Sequence, residues 1–200
     1  MKTQNIFSLK GITSVVFLTS ILFLAACGSD NSNSARLKNK STGPETNSPT
    51  PGMGIHAAAL MGNLDAIQQH IKAGSDLNEK DEYGSSPLTI AATFDKTEVA
   101  GALIEAGVDV NITNNDGATV LHTAAFLCRT EIVEALLNKG ADKTIRNNFG
   151  STALESVSVP FNEVKGIYDE LSKALGPLGF KLDYEYLEAT RPNIAEMLQQ

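Results

Sequence analysis

The chain has 200 residues, 42% of them hydrophobic and 6% aromatic, enough apolar content to bury one globular or elongated domain. Its formal net charge of −7, from 16 basic against 23 acidic residues, argues against nucleic acid or an anionic lipid surface as a partner, because those need clustered Lys and Arg. The first stretch is set apart from the rest. Lys2 and Lys10 precede an almost continuously apolar or small run from Ile12 to Ala26, with no acidic residue before Cys27. That run is too short to be a dependable membrane span and reads as an export signal over residues 1–27.

Leu24-Ala25-Ala26-Cys27 resembles the lipobox of bacterial lipoproteins, in which cleavage leaves a lipidated cysteine at the new N-terminus. The resemblance implies lipidation of Cys27 and a membrane held through acyl chains, each buried methylene contributing about 0.8 kcal/mol. It also implies a bacterial cell envelope location, with Gly28 at the next position favouring the outer membrane, facing the periplasm, over the inner membrane. Cleavage before Cys27 removes two lysines and no acids and takes the net charge to −9, and with Cys27 lipidated Cys128 has no second free cysteine for a disulfide.

Residues 28–53 are rich in Ser, Asn, Thr, Gly and Pro, a composition unable to bury enough apolar area to order itself, so they read as a flexible linker. Such a coil spans roughly 25–30 Å on average. Met53 stands at its end as a candidate alternative start.

From Ile55 the apolar spacing turns helical and repeats. Gly74/Asp76, Gly107/Asp109 and Gly140/Asp142 recur every 33 residues, as do Gly84, Gly117 and Gly150, and the pairs Ala58-Ala59, Ala91-Ala92 and Ala124-Ala125. Each unit predicts two short helices. Ser86 and Thr119 cap first helices, with Pro87 at the first helical position; Thr97 and Thr130 cap second helices, which Gly107 and Gly140 stop. Gly84-Ser85-Ser86-Pro87-Leu88-Thr89-Ile90-Ala91-Ala92 and Gly117-Ala118-Thr119-Val120-Leu121-His122-Thr123-Ala124-Ala125 resemble the ankyrin repeat. The resemblance implies an all-α solenoid of three repeats plus a degenerate fourth over residues 54–160, the fourth departing at Val157-Ser158 where the stacking alanines are missing.

The remaining residues, 161–200, are expected to form a helical cap. Phe161, Val164, Ile167, Tyr168, Leu171 and Leu175 mark one amphipathic helix over 161–175, Gly176-Pro177 breaks it, and Leu182 to Ala189 and Pro192 to Leu198 read as two short helices.

The chemistry-bearing residues fall into structural positions. His56, His70 and His122 sit at repeat positions without a neighbouring nucleophile or metal-ligand spacing, and Asp76, Asp109 and Asp142 each belong to a turn. Cys128 occupies the turn position of Gly62 and Asp95. No phosphate loop, nucleophile elbow or metal motif is visible, so no catalytic residue, no metal site, no cofactor and no small-molecule substrate is expected. The densest polar cluster, Asp183, Tyr184, Glu185 and Tyr186, alternates within one predicted helix and makes a hydrolase a remote alternative.

By the same resemblance, partners of such repeats contact the turn tips and the two positions after the paired alanines. Here these are Leu60 and Met61, Thr93 and Phe94, and Phe126 and Leu127, with Tyr83 and Phe149 at the tips; all but Thr93 make an apolar ladder of the kind that marks an interface. Asp81, Glu82, Asp95 and Asp116 around it favour a protein partner with a basic patch. The expected function is therefore non-catalytic protein binding from a membrane anchor, for instance neutralising a toxin or lipase effector, with chaperone-like support of an envelope enzyme, for example in oxidative-stress defence, as the alternative.

Overall fold

The computed structural model describes residues 52–200. The proposed leader, Cys27 and most of the 28–53 linker lie outside the described residues. Three helix pairs come first: α1 (Ile55–Met61) with α2 (Leu64–Ala73), α3 (Pro87–Thr93) with α4 (Thr97–Glu105), and α5 (Val120–Phe126) with α6 (Thr130–Asn138). A short α7 (Ala153–Ser158) follows, then α8 (Phe161–Leu175), a single 3₁₀ turn at Gly176–Leu178, and α9 (Tyr184–Gln199). Among the described residues the only β pairing is an isolated bridge between Thr113 and Thr119.

The first helices α1, α3, α5 and α7 stack side by side, and α2, α4 and α6 form a second row behind them. The stack closes tightly because Ala58, Ala59, Ala91, Ala92, Ala124 and Ala125 are fully buried and present nothing larger than a methyl group to the next unit. Larger side chains, Ile67, Leu88, Leu103, Leu121 and Leu136, fill the space between the rows.

Capping follows the expected pattern in the first row. Ser86 and Thr119 accept from Thr89 N–H and His122 N–H. The second row differs: α4 and α6 begin one residue earlier than expected, after Lys96 and Arg129, with no side-chain cap, and Thr97 and Thr130 are their first helical residues. The cause is the tight turn before each helix. Asp95 (φ 57°) and Cys128 (φ 55°) adopt the left-handed conformation that Gly62 (φ 70°) takes at the equivalent position, so the single residue after each, Lys96 or Arg129, becomes the N-cap as Asn63 does after Gly62.

The fourth unit keeps only its first helix. Thr152 and Glu155 form a reciprocal capping box, and Val159 then runs extended into Pro160. No second-row helix follows directly; α9 lies along α7 and reaches α5 and α6. The two short helices expected here are one. α9 runs through Pro192, because Leu187, Arg191, Ile194 and Leu198 form a single buried stripe across it while Pro192 and Glu188, whose carbonyl loses its bond, face solvent. Tertiary burial thus outweighs an interior-proline penalty of about 3 kcal/mol.

Candidate protein-binding surface

The turns between repeats are built from side chains that bond their own backbone. Asp76, Asp109 and Asp142 accept from the N–H two residues on at 2.9, 2.9 and 2.8 Å, and these carboxylates are thereby spent on turn geometry. A second set shapes the tips. Asp81, Asn114 and Asn147 each accept two N–H bonds through Oδ1, from Tyr83 and Ser85, Asp116 and Ala118, and Phe149 and Ser151.

Neighbouring tips are joined rung to rung. Asn115 N–H donates to Tyr83 O at 3.3 Å and Asn148 N–H to Asp116 O at 2.8 Å. The side-chain amides of the same residues donate to Glu82 O at 3.2 Å and Asn115 O at 3.1 Å. Asn78 and Asn111 add a parallel set, accepting from Asp109 N–H and Asp142 N–H at 2.9 and 2.8 Å.

The three histidines serve this framework. His56 Nε2 bonds Glu79 O at 2.9 Å, and His70 spans Met53 O at 2.7 Å and Ser75 Oγ at 3.0 Å. His122 donates from Nε2 to Ser151 O of the next unit at 3.0 Å and accepts at Nδ1 from Thr119. Burial lowers its pKa, partly opposed by the Ser151 bond, so the imidazole is neutral near pH 7.

The Cys128 thiol is buried, donates weakly to Leu187 O at 3.7 Å, and is pushed up to about 11 by burial against the opposing Arg191 and Arg129 charges. Such a thiol is a poor nucleophile and a poor redox sensor. The cluster at the start of α9 diverges: Asp183 caps Tyr186 N–H, Tyr184 bonds Asp169 at 3.0 Å, and Tyr186 OH reaches Cys128 O at 3.4 Å. Between these elements an open cleft of about 680 Å³ is lined by Asp95, Arg129, Lys181 and Asp183. Its most buried cation, Arg129, is already paired with Asp95 at 3.2 Å and donates to Thr93 O at 3.3 Å. Among the described residues no group of three or more His, Cys, Asp or Glu side chains could hold a metal ion, and no helix is long and apolar enough to cross a membrane.

The expected apolar ladder is split. Met61 (67% exposed), Tyr83 (36%) and Phe149 (39%) are on the surface, and Leu60 is half-buried beside Met61. Phe94, Phe126 and Leu127 are not open to solvent in the way the sequence implied. Leu127 is 3% exposed, Phe126 stacks on Tyr168 of α8 with ring centroids 4.6 Å apart, and Phe94 meets Phe180 edge-on at 5.9 Å. The reason is that α8 and the turn after it fold back over the repeats and supply the aromatic partners themselves.

Sequence reasoning missed what holds that segment down. Arg191, 4% exposed, donates to Tyr168 OH at 2.6 Å and to the carbonyls of Ser156 and Val159 at 3.2 and 2.7 Å, and lies 5.9 Å over the Phe126 ring. Tyr168 is fully buried and donates to Phe126 O at 2.6 Å. The signal available was Arg191 on the apolar stripe of one continuous helix, which the adjacent proline hid.

Paired helices on a 33-residue period with laddered tips define the class: the fold is an all-α ankyrin-repeat solenoid, and residues 55–147 match the profile of ankyrin repeats (three copies). The chain is similar to protein phosphatase 1 regulatory subunit 27 of Mus musculus, 35% identical over 60 residues, covering 30% of this chain and 39% of that protein. The Homo sapiens protein of the same name is 38% identical over 50 residues, 25% of this chain and 32% of the relative. The DNA-binding protein RFXANK of Homo sapiens is 32% identical over 81 residues, 38% of this chain and 31% of that protein. The chain therefore spans well under half the length of each of these relatives.

Proposed function

We propose that the protein is a non-catalytic, protein-binding module held at a bacterial membrane through a lipid on Cys27, with residues 28–53 as its tether. The observation that carries the binding role is the exposed, laddered edge of the solenoid. Its large apolar groups, Tyr83 and Phe149, are held out by turns whose polar atoms bond one another. A repeat array of this kind recognises partners by a rigid surface, and the regulatory-subunit name of two relatives is in keeping with that use. The DNA-binding name of the third does not transfer easily, because residues 1–51 hold five cations and two acids, which leaves −10 on residues 52–200.

The contact residues in this reading are Leu60, Met61, Tyr83 and Phe149, while Phe94 and Phe126 act beneath the surface by packing against Phe180 and Tyr168 of the C-terminal segment and Leu127 belongs to the core. An outer-membrane position facing the periplasm and neutralisation of an incoming toxin or lipase fit an anchored binder. The test is affinity capture of tagged protein from its own cells and from cells exposed to competitors, with a Met61→Asp/Tyr83→Ala/Phe149→Ala variant as control. A partner that is recovered with the parent and absent with the variant supports the reading; equal recovery overturns the surface assignment. Metabolic labelling with palmitate, abolished by Cys27→Ala, tests the anchor separately.

A further inference from the structure

Register-equivalent positions 83, 116 and 149 carry Tyr, Asp and Phe, a row in which a carboxylate stands between two exposed aromatic side chains. The row is preformed. Its rungs are tied by the Asn115–Tyr83 and Asn148–Asp116 backbone bonds, and Asn115 and Asn148 also clamp the preceding residues through their amides. A β-carbon on Gly84 would run into Asn115, and one on Gly117 into Asn148, so adjacent tips are already in contact and cannot close further. At helix-packing spacing each step along the row is about 10 Å, so its two ends are about 20 Å apart, close to the length of six residues of polyproline II chain at about 3.1 Å each.

The electrostatics of the row are one-sided. Asp81 and Glu82 flank Tyr83; its phenol is raised by desolvation first, then by its hydrogen bond with Glu82 and the two carboxylate charges. The Asp116 carboxylate has no hydrogen-bond or ion-pair partner among the described residues; its backbone N–H and C=O make the turn and ladder bonds. The cations of the neighbouring turns do not pair with it: Arg146 is held by Glu155 at 2.6 and 2.8 Å and donates to Gly150 O, and neither Lys80 nor Lys143 forms an ion pair among the described residues.

We infer that this row receives a cationic segment of a protein partner in the polyproline II conformation, whose three-residue turn puts every third side chain on one face, with an arginine or lysine on Asp116 and two more, three residues to either side, over Tyr83 and Phe149. Both ring faces attract a cation, and the central carboxylate pairs with one. The inference rests on the protein-binding reading above and adds the chemistry and spacing of what is bound.

The test uses the full-length lipidated chain in detergent and two fluorescein-labelled peptides of equal charge, Arg-Ser-Ser-Arg-Ser-Ser-Arg and Ser-Ser-Arg-Arg-Arg-Ser-Ser. Anisotropy titrations are expected to give about tenfold tighter binding of the spaced peptide, which corresponds to two exposed cation–π contacts. Tyr83→Ala/Phe149→Ala is expected to erase that preference, and Asp116→Asn to weaken both peptides and flatten the salt dependence. Equal binding of the two peptides, or a preference that survives the double variant, would show attraction to the acidic surface in general and overturn the inference. A partner captured from cells that is lost with Met61→Asp yet kept with the double variant would retain the protein-binding function and remove this row from it.

Discussion

The repeats and the C-terminal helices are stabilised in opposite ways. In the repeats the turn and ladder bonds recur at a 33-residue step, Asn78 with Asp109 and Asn111 with Asp142, Asn115 with Glu82 and Asn148 with Asn115, so each of these contacts has a copy elsewhere. In the C-terminal segment each contact occurs once, and the decisive ones converge on Arg191 and Tyr168. An array with redundant contacts loses stability by degrees, whereas a closure with one centre loses it at one residue.

Arg191→Ala is therefore expected to have the largest effect. It leaves the Ser156 and Val159 carbonyls and the Tyr168 hydroxyl buried without their donor, and about 3–5 kcal/mol of stability should be lost in urea unfolding, because three charge-assisted bonds to neutral buried acceptors disappear together. Hydrogen exchange should show α8 and α9 deprotected while α3 and α4 hold. Uniform deprotection would mean that repeats and cap are one cooperative unit, and the contrast drawn above would fall.

Within the repeats, glycines with similar backbone conformations should respond unequally. Gly84 (φ +74°) would place a β-carbon 2.7 Å from Asn115 N, whereas Gly107 (φ +84°) faces open space. Gly84→Ala is expected to cost about 2–3 kcal/mol and Gly107→Ala about 1 kcal/mol, because the second carries only left-handed strain. Thermal unfolding of the two variants measures the difference; equal costs would mean that the tips are free to separate.

Tyr168→Phe sharpens the comparison from the other side. The ring keeps its place against Phe126 and Phe161, and only the hydroxyl bonds are removed, so about 1–2 kcal/mol should be lost. Burial, first among its causes, pushes this phenol up to about 12 and the Cys128 thiol up to about 11. Both groups favour the folded state while protonated, so their contribution is complete below pH 9 and disappears as pH rises from 9 towards 12. Tyr168→Phe should remove the upper part of that alkaline loss and Cys128→Ala the lower part, as read by unfolding midpoints at stepped pH.

Legibility in the sequence followed the same division. The helix pairs, the stacking alanines and the Asp turns announce themselves because each is repeated, and 161–175 was visible because its apolar spacing is regular. The starts of α4 and α6 were misplaced by one residue because nothing local indicates that Asp95 and Cys128 take the left-handed conformation of Gly62. The covering of Phe94 and Phe126 was not visible, since it depends on pairings with Phe180 and Tyr168 across 86 and 42 residues of chain, which no period encodes. Tyr83 and Phe149 stayed legible as surface groups because their exposure is fixed by the turn that carries them.

The smallest expected effect lies at the junction of the two regions. Arg146, in the turn after the third repeat, forms a two-pronged pair with Glu155 of α7, and both side chains are about half exposed. Exposed pairs add little to stability, so Arg146→Gln should leave the unfolding midpoint within its scatter. Its effect belongs instead in the titration of Glu155, which is lowered first by the Arg146 hydrogen bond and then by the Thr152 N–H. A lowered carboxylate stabilises the fold above its ordinary pKa, and that contribution is lost as pH falls through the depressed folded value. NMR titration of the Glu155 side chain should show an upward shift in the variant, yet not a full return, because the capping box with Thr152 persists. A full return would mean that α7 depends on the turn of the third repeat for its own cap, which would place the boundary between redundant and single-copy contacts after α7, not before it.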